Sequence, residues 1–369
     1  MRRDVILLPM MRRGVPKQDI FFVTAKDGAR IACASSGRGP TLVRAAHWLT
    51  HISRDLDSPV WQHWLAELTG FGRLVRYDLR GCGLSSRNVS EISFEAWLSD
   101  LEAVTEAIDE PFTLLGMSQG AALSIAYALR HPDKVERLVL IGGYARGLMA
   151  RDTSDRARLE AATLTNLMRL GWGRDDTAFN QVFTHLFIPD GTLAQHKWWR
   201  SLEQDTASAD IAARTMETLH RIDVLNLAAQ LKVPTLVLHA NGDARVPFAQ
   251  GRELAMTIPD AKFVPLDSNN HVLLDTEPAW NVLLSSLQDF LGTSADLAVS
   301  DTDFGLTTAE EQVLTLVAKG LSNSEIAELL DKSEKTVRNQ VSSLFDKVGV
   351  HTRSELIVRV LSAQTGQTP

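Results

Sequence analysis

Short apolar runs typical of β-strands alternate with amphipathic helical stretches over residues 20–291. After an opening pair at 21–24 and 30–33, the strand candidates are residues 41–44, 74–77, 112–115, 138–141, 235–238 and 262–265. Apolar runs of this length suit strands buried on both faces, and strands that alternate with helices favour a mainly parallel sheet covered by helices. The sequence therefore predicts an α/β fold, opened by a hairpin that turns at Asp27-Gly28.

Breaks in this alternation divide the chain. Strand patterning stops at Tyr144, and Trp172, Trp198 and Trp199 then occur among helix-forming and charged residues, which predicts a helical cap over about 144–225. The small and acidic stretch 293–305 has no period and is typical of a linker. The predicted organisation is an N-terminal extension (1–18), an α/β domain (19–292), the linker and an all-α C-terminal domain (306–365).

Composition limits the function classes. The 369 residues are 44% hydrophobic and 22% charged, as in globular proteins, and two cysteines are too few for a disulfide framework. No signal peptide and no run of about 20 apolar residues stands out, so we expect a cytoplasmic protein without a membrane partner. A net charge of −7 argues against general affinity for nucleic acid, so any DNA binding must come from a local face.

The strand at 112–115 runs directly into Gly116-Met117-Ser118-Gln119-Gly120, and a helix-like stretch follows. This is the pattern of a nucleophile elbow, in which a sharp strand-to-helix turn exposes the serine hydroxyl. Asp243 follows a later strand and His271 follows the last one, which gives the chain order Ser, Asp, His. Taken singly, such residues are more often structural than catalytic. Together they predict a triad in which His271 takes the proton from Ser118 and Asp243 orients the imidazole.

With these motifs, residues 20–292 resemble the α/β-hydrolase superfamily, and the run 77–85 is similar to the loop after the fourth strand of many members. The resemblance implies hydrolysis of an acyl compound, ester or lactone. One departure is His47-Trp48, where related hydrolases often have His-Gly. The amides of Trp48 and Gln119 remain the candidate oxyanion donors, but the indole occupies space that a substrate would need, which favours sensing over fast catalysis.

The cap predicts an apolar small-molecule pocket above the triad. Its candidate lining residues are His47, Trp48, Met117, Trp172, Trp198 and Trp199. Each aromatic residue taken alone is more often core than ligand contact. We expect neither a metal ion nor a cofactor.

The C-terminal segment contains two capping-box signals, Thr307 with Glu310 and Ser322 with Glu325, each at the start of a predicted helix. A third helix is predicted over 334–348, with Val337, Val341, Leu344 and Val348 on one apolar stripe. Its other face predicts a DNA-recognition surface. The candidate DNA-binding residues are Lys335, Thr336, Arg338, Asn339, Ser342 and Lys347.

From end to end this segment resembles the LuxR-type helix-turn-helix, with Gln340 where members often have His. The resemblance implies binding of double-stranded DNA, and a fourth helix at about 352–363 that pairs two modules into a homodimer. Residues 332–359 hold six basic and three acidic residues, so the local positive charge lies where DNA is expected.

The sequence thus favours a ligand-responsive transcription regulator. Two alternatives stay open. One is an active serine esterase or lactonase that also regulates by consuming its signal, and the other is a hydrolase whose tail binds no DNA.

Overall fold

The structure, a computed structural model, describes residues 17–48, 50–173, 177–292, 306–318, 321–330, 332–350, 352–353 and 355–356. The chain forms two compact units, Met1–Leu291 and Gly292–Pro369. The proposed N-terminal extension up to residue 16, the linker 293–305 and most of the fourth helix lie outside the described residues. Within the part described, no helix is long and apolar enough to cross a bilayer.

The larger unit is built on an eight-stranded sheet with the order β1-β2-β4-β3-β5-β6-β7-β8. The strands are β1 (Gln18–Thr24), β2 (Arg30–Ser36), β3 (Thr41–Ala45), β4 (Arg73–Tyr77), β5 (Phe112–Met117), β6 (Val135–Ile141), β7 (Thr235–Ala240) and β8 (Lys262–Leu266). β2 pairs antiparallel with β1 and β4, whereas all other pairs are parallel. The opening hairpin and every predicted strand are confirmed. The central strands are buried along their whole length, as their continuous apolar runs predict.

Helices cover the sheet between the strands. They are α1 (Gln62–Phe71), α2 (Phe94–Glu106), α3 (Gly120–Arg130), α10 (Phe248–Thr257) and α11 (Pro278–Leu291). α3 packs on β5 and α10 packs on β7. Because α3 and α10 follow the carboxyl ends of their parallel partners, the loops that carry the site residues gather at one edge of the sheet.

Among the described residues, six helices lie between β6 and β7, where the cap is predicted. They are α4 (Leu148–Arg151), α5 (Asp155–Gly171), α6 (Thr177–Phe187), α7 (Leu193–Thr206), α8 (Ala209–Arg221) and α9 (Leu225–Ala228). The side chains of Ser154, Thr192 and Ser208 accept hydrogen bonds from the first turns of α5, α7 and α8, which satisfies amides that a helix start leaves free. Local capping chemistry therefore sets where these helices begin.

Buried carboxylates hydrogen-bond to arginines and backbone amides and so hold several loops of the larger unit in place. Asp55 accepts hydrogen bonds from Arg44 at 3.2 Å and from Arg76 at 2.8 Å, and all three side chains are at most 2% exposed. Asp78 accepts from the amides of Ile52 and Leu84, both at 2.8 Å. These carboxylates tie neighbouring loops together, so they have a structural function in the fold.

The smaller unit contains α12 (Thr308–Ala318), α13 (Asn323–Leu329) and α14 (Glu334–Val348). Both predicted capping boxes form: Thr307 bonds with Glu310, and Ser322 bonds with Glu325. The predicted apolar stripe of α14 is buried against the other two helices. α14 ends at Gly349, whose φ of 72° is the left-handed conformation that suits glycine. The short helix α13, the turn that follows it and α14 together form a helix-turn-helix.

Candidate functional site

Ser118 lies at the tip of β5, at the turn into α3, with a φ of 52°. A positive φ is unusual for a residue with a side chain and marks a strained turn. Close packing explains the flanking glycines, because a Cβ on Gly116 would lie 2.5 Å from the carbonyl oxygen of Gly120. The amide of Ser118 donates to the carbonyl oxygen of Ile141 at 3.0 Å, which fixes the turn against β6. The geometry is that of the predicted nucleophile elbow.

Asp243 and His271 are hydrogen-bonded. His271 Nδ1 donates to Asp243 Oδ2 at 2.6 Å, and the other carboxylate oxygen accepts from the amides of Arg245 and Val246, both at 2.8 Å. Burial by itself raises the pKa of Asp243, but the charge and hydrogen bond of His271 outweigh it, so that this pKa lies below its ordinary value. Asp243 is therefore an anion at neutral pH and holds Nε2 of the imidazole available as a base.

The Gly142-Gly143 pair lies between the serine and the histidine. A Cβ on Gly142 would lie 3.2 Å from His271 Cε1, and a Cβ on Gly143 would lie 3.5 Å from the carbonyl oxygen of Ser118. Ser118 and His271 therefore border the same two-residue segment after β6. The fold brings the three residues of the predicted triad to one edge of the sheet.

Beside the elbow, His47 and Trp48 follow β3. His47 Nδ1 donates to the carbonyl oxygen of Trp48 at 2.8 Å. Burial lowers the pKa of His47 far below its ordinary value, with the charge of Arg44 adding to the effect, so His47 is neutral. Within the described residues, the backbone amides of Trp48 and Gln119 bond to no acceptor. Both amides remain candidates for oxyanion donors.

Aromatic rings connect the sheet edge to the cap. Trp48 meets Trp172 edge-on with ring centroids 5.7 Å apart, and Trp172 donates from Nε1 to the carbonyl oxygen of Ala207 at 2.9 Å. The indole of Trp48, which the sequence places in substrate space, is thus packed against the cap and only 4% exposed. Trp48 and Trp172 thus join the loop after β3 to the cap.

A second set of rings, which we call the aromatic cluster, consists of His47, Trp61, Trp199, Phe187 and His271. Neighbours in this order have ring centroids 4.9, 6.4, 5.1 and 5.6 Å apart. The cluster links the oxyanion side of the site to the candidate base.

Of the predicted pocket residues, Met117 is buried at the end of β5 and Trp199 belongs to the aromatic cluster. Trp198, in contrast, is half-buried and makes no ring contact with a described residue. The neighbouring positions of α7 point in different directions, because successive helical residues are about 100° apart. Sequence reasoning missed Trp61, which no spacing connects to the triad.

Several buried polar atoms in this region have no hydrogen-bond partner among the described residues. They are His47 Nε2, the indole nitrogens of Trp48 and Trp61, and both side-chain amide atoms of Gln119. Unpaired buried polar groups are costly, so each of these atoms calls for a partner such as water or a bound molecule.

Glu203 lies on α7 one turn after Trp199 and is 1% exposed. Burial raises the pKa of Glu203 well above its ordinary value, and the nearby Trp199 and Arg200 offset only part of this effect. Glu203 is thus a buried acid that favours its neutral form, and the sequence gives no sign of it beyond a charged residue on the inner face of an amphipathic helix.

The raised pKa of Glu203 makes stability depend on pH. In the unfolded chain the carboxyl ionises near pH 4.3, so above that pH unfolding releases a proton and the free energy of unfolding falls by up to about 1.4 kcal/mol per pH unit. We expect Glu203→Gln to remove this loss. Urea unfolding at pH 5 and pH 8 should give wild-type and variant curves that diverge as pH rises, with the variant the more stable at pH 8.

The matched control is Glu106→Gln, at an exposed position. Its difference from the wild type should be the same at both pH values. A pH-independent difference for Glu203→Gln would show instead that Glu203 is already ionised in the folded protein.

In the smaller unit, Lys335, Thr336, Arg338, Asn339 and Ser342 are exposed on α14. Arg338 is paired only with Glu334 in an exposed contact of 3.1 Å, which contributes little. Lys335 has no partner among the described residues. This face can donate to phosphates and to base edges.

Lys347 is also exposed on α14, but it makes a contact within the smaller unit. Its ammonium group bonds Glu310 Oε2 at 2.7 Å, and Ser343 bonds the other oxygen of Glu310. The ion pair joins α14 to α12, so Lys347 stabilises the helix packing, and its contact with DNA stays a prediction. Gln340 accepts from Lys332 at 3.3 Å, so the residue that replaces histidine still makes a local contact.

Comparison with known proteins agrees with the folds of the two units. Residues 58–278 match the family model described as serine aminopeptidase S33, and residues 305–360 match that of the bacterial regulatory proteins of the luxR family. Among curated proteins, the chain is 26% identical over 265 residues to a pyrrolizixenacetamide deacetylase of Xenorhabdus hominickii, covering 70% of this chain and 94% of that protein. It is 27% identical over 230 residues to the AB hydrolase superfamily protein YisY of Bacillus subtilis, covering 58% and 81%.

Solved structures share the fold. An esterase from Exiguobacterium antarcticum superposes with a TM-score of 0.62 at 20% identity, covering 74% of this chain and 99% of the esterase. An enol-lactonase from Burkholderia xenovorans gives 0.57 at 22% identity, covering 73% and 99%. The larger unit therefore belongs to the serine aminopeptidase S33 family of α/β hydrolases, and the smaller unit is a LuxR-type DNA-binding domain, a combination that fits a transcription regulator.

Proposed function

We propose that this protein is a cytoplasmic, ligand-responsive transcription regulator that binds DNA as a homodimer. The larger unit takes a small molecule at the Ser118 site, and occupancy of that site changes the DNA affinity of the LuxR-type unit. The observation that carries the proposal is the cluster of unpaired polar atoms beside the elbow, since a ligand with hydrogen-bonding groups would satisfy them.

The ligand we propose is an acyl compound, an ester or a lactone. The aromatic cluster offers it apolar contact, while Gln119 and His47 offer hydrogen bonds. The sequence predicts an apolar small molecule of acyl, ester or lactone type, and the unpaired atoms favour one that also donates and accepts hydrogen bonds. Coupling requires that the ligand bind one state of the protein more tightly than the other.

For DNA binding, we expect Arg338→Ala to weaken binding to a site selected from random sequences by about 1–3 kcal/mol, because it removes a donor that faces the groove. We expect Lys335→Ala to reduce the slope of log affinity against log salt by about one phosphate contact. Fluorescence anisotropy of the full-length protein over a salt series measures both effects.

Arg252→Ala is the control, since it removes one exposed positive charge from the larger unit. It should leave both the affinity and the salt slope unchanged. If Arg252→Ala weakened binding as much as Arg338→Ala, DNA affinity would follow total charge and α14 would not be the recognition helix.

A second function is favoured by the Asp243–His271 hydrogen bond and the strained Ser118: an active esterase or lactonase that regulates by turning over its signal. Ser118→Ala separates the two. Loss of ester turnover with the ligand response of DNA binding retained identifies a receptor, whereas loss of both makes the chemistry part of the signalling.

A further inference from the structure

A cavity of about 160 Å³ lies in the larger unit, between the cap and the loop that follows Asp243. Arg151 of α4, His220 of α8 and Arg245 of the loop line it together with Tyr144. Apolar side chains, among them Leu164, Leu186, Leu219 and Val246, complete the walls. The cavity thus combines basic groups with an apolar lining.

The two arginines of this cavity lack carboxylate partners. Within the described residues, neither Arg151 nor Arg245 is within salt-bridge distance of an acid. Arg245 instead donates to the sulfur of Met216 at 3.4 Å and lies over the ring of Phe187 at 5.8 Å. Both guanidinium groups are partly buried, where a cation without an anionic partner is costly.

Two acids near these arginines are already engaged, since Asp243 bonds His271 and Glu253 pairs with Arg146. Glu160 of α5 is the acid that lines it, and this residue is exposed, where its charge is screened by solvent. His220 is 5% exposed, and its Nε2 has no partner among the described residues. Burial first, and then the charges of Arg245 and Arg151, lower the pKa of His220 to about 4, so it is a neutral hydrogen-bonding group at pH 7.

The cavity is close to the candidate triad. The amide of Arg245 donates to Asp243, and Phe187, over which the Arg245 side chain lies, contacts the ring of His271. Tyr144 directly follows the Gly142-Gly143 segment that separates Ser118 from His271. A molecule in the cavity would therefore lie beside the site of the proposed ligand.

We propose that this cavity binds the anionic group of a small amphipathic molecule, a carboxylate or a phosphate monoester on a short apolar chain, with Arg151 and Arg245 as its charge partners. The inference rests on the proposed function in that it makes the cavity the anion-recognising part of the ligand site. Paired guanidinium groups suit both anions, because each arginine can donate two parallel hydrogen bonds to their oxygens.

The test is calorimetric titration of the full-length protein with hexanoate, hexyl phosphate and the neutral hexanamide. We expect at least one anion to bind about tenfold or more tightly than hexanamide, and Arg245→Gln and Arg151→Gln each to weaken it about tenfold. The anion that binds more tightly shows whether the cavity prefers a carboxylate or a phosphate monoester. Arg245→Lys, which keeps the charge, should retain part of the affinity.

The control is Arg169→Gln, which removes an arginine of α5 that is paired with Glu217 away from the cavity. It should bind the anion as the wild type does, and thermal unfolding should confirm that each variant is folded. Equal affinity for hexanamide, no binding of any probe at millimolar concentration, or unchanged affinity in both Gln variants would overturn the inference.

The proposal of a ligand-responsive regulator and the proposal of an anion site can fail independently of each other. If an anion binds through Arg245 but leaves the DNA affinity unchanged, the anion site is supported and regulation through this site is rejected. If a ligand changes the DNA affinity of the wild type and of Arg245→Gln equally, the proposal of a ligand-responsive regulator is supported and the anion site is rejected.

Discussion

Replacement of Asp243 by asparagine is expected to slow the covalent labelling of Ser118 by a fluorophosphonate by about 10⁴-fold, the size of loss known when the acid of a serine triad becomes an amide. Asp243 accepts a 2.6 Å hydrogen bond from His271 Nδ1 and is itself held by two backbone amides. An asparagine amide that donates to Nδ1 would leave Nε2 protonated, so His271 could no longer take the proton from Ser118.

Labelling measures activation of the serine whether or not a natural substrate is turned over, so it tests the triad for a receptor and for an enzyme alike. Asp267→Asn is the matched control, because Asp267 is an exposed acid of the same unit. Its labelling rate should equal that of the wild type. A rate for Asp243→Asn within tenfold of the wild type would show that Asp243 does not activate Ser118 through His271.

The second large effect concerns stability. We expect Asp55→Ala to lower the free energy of unfolding of the larger unit by about 3–5 kcal/mol, because it leaves Arg44 and Arg76 as buried cations without their shared carboxylate. Burial already lowers the pKa of Arg76 to about 10 although Asp55 opposes the shift. Against a typical total of 5–15 kcal/mol, such a loss is severe.

Denaturant unfolding followed by tryptophan fluorescence isolates this effect, since all eight tryptophans lie in the larger unit. Asp57→Ala, two residues away and exposed, should change the unfolding free energy little. Equal midpoints for Asp55→Ala and the wild type would mean that water or other groups stabilise the two arginines as well as Asp55 does.

Patterns with a local physical cause were predictable from the sequence. The buried strands follow from continuous apolar runs, and the C-terminal helices follow from capping boxes whose hydrogen bonds all form. The elbow at Ser118 follows from a serine between glycines at a strand-to-helix turn. In each case, residues close in sequence determine the geometry.

Properties that depend on tertiary contacts were not predictable. The orientation of α7 places Trp199 and Glu203 inside and Trp198 partly outside, and only the packing of the cap decides this. Lys347 belongs to the basic face by spacing, yet it bonds Glu310, which is 37 positions away. The anion-binding cavity joins α4, α8 and the loop after β7, which no local pattern connects.

The most direct test of the account is the affinity of the full-length protein for its selected DNA site, measured with and without a saturating ligand from a thermal-shift screen of acyl esters, lactones and amphipathic carboxylates. Calorimetry first establishes that the larger unit is occupied. The account predicts that occupancy changes the DNA dissociation constant about 5- to 150-fold, the usual range of allosteric coupling. An unchanged dissociation constant at full occupancy would contradict it.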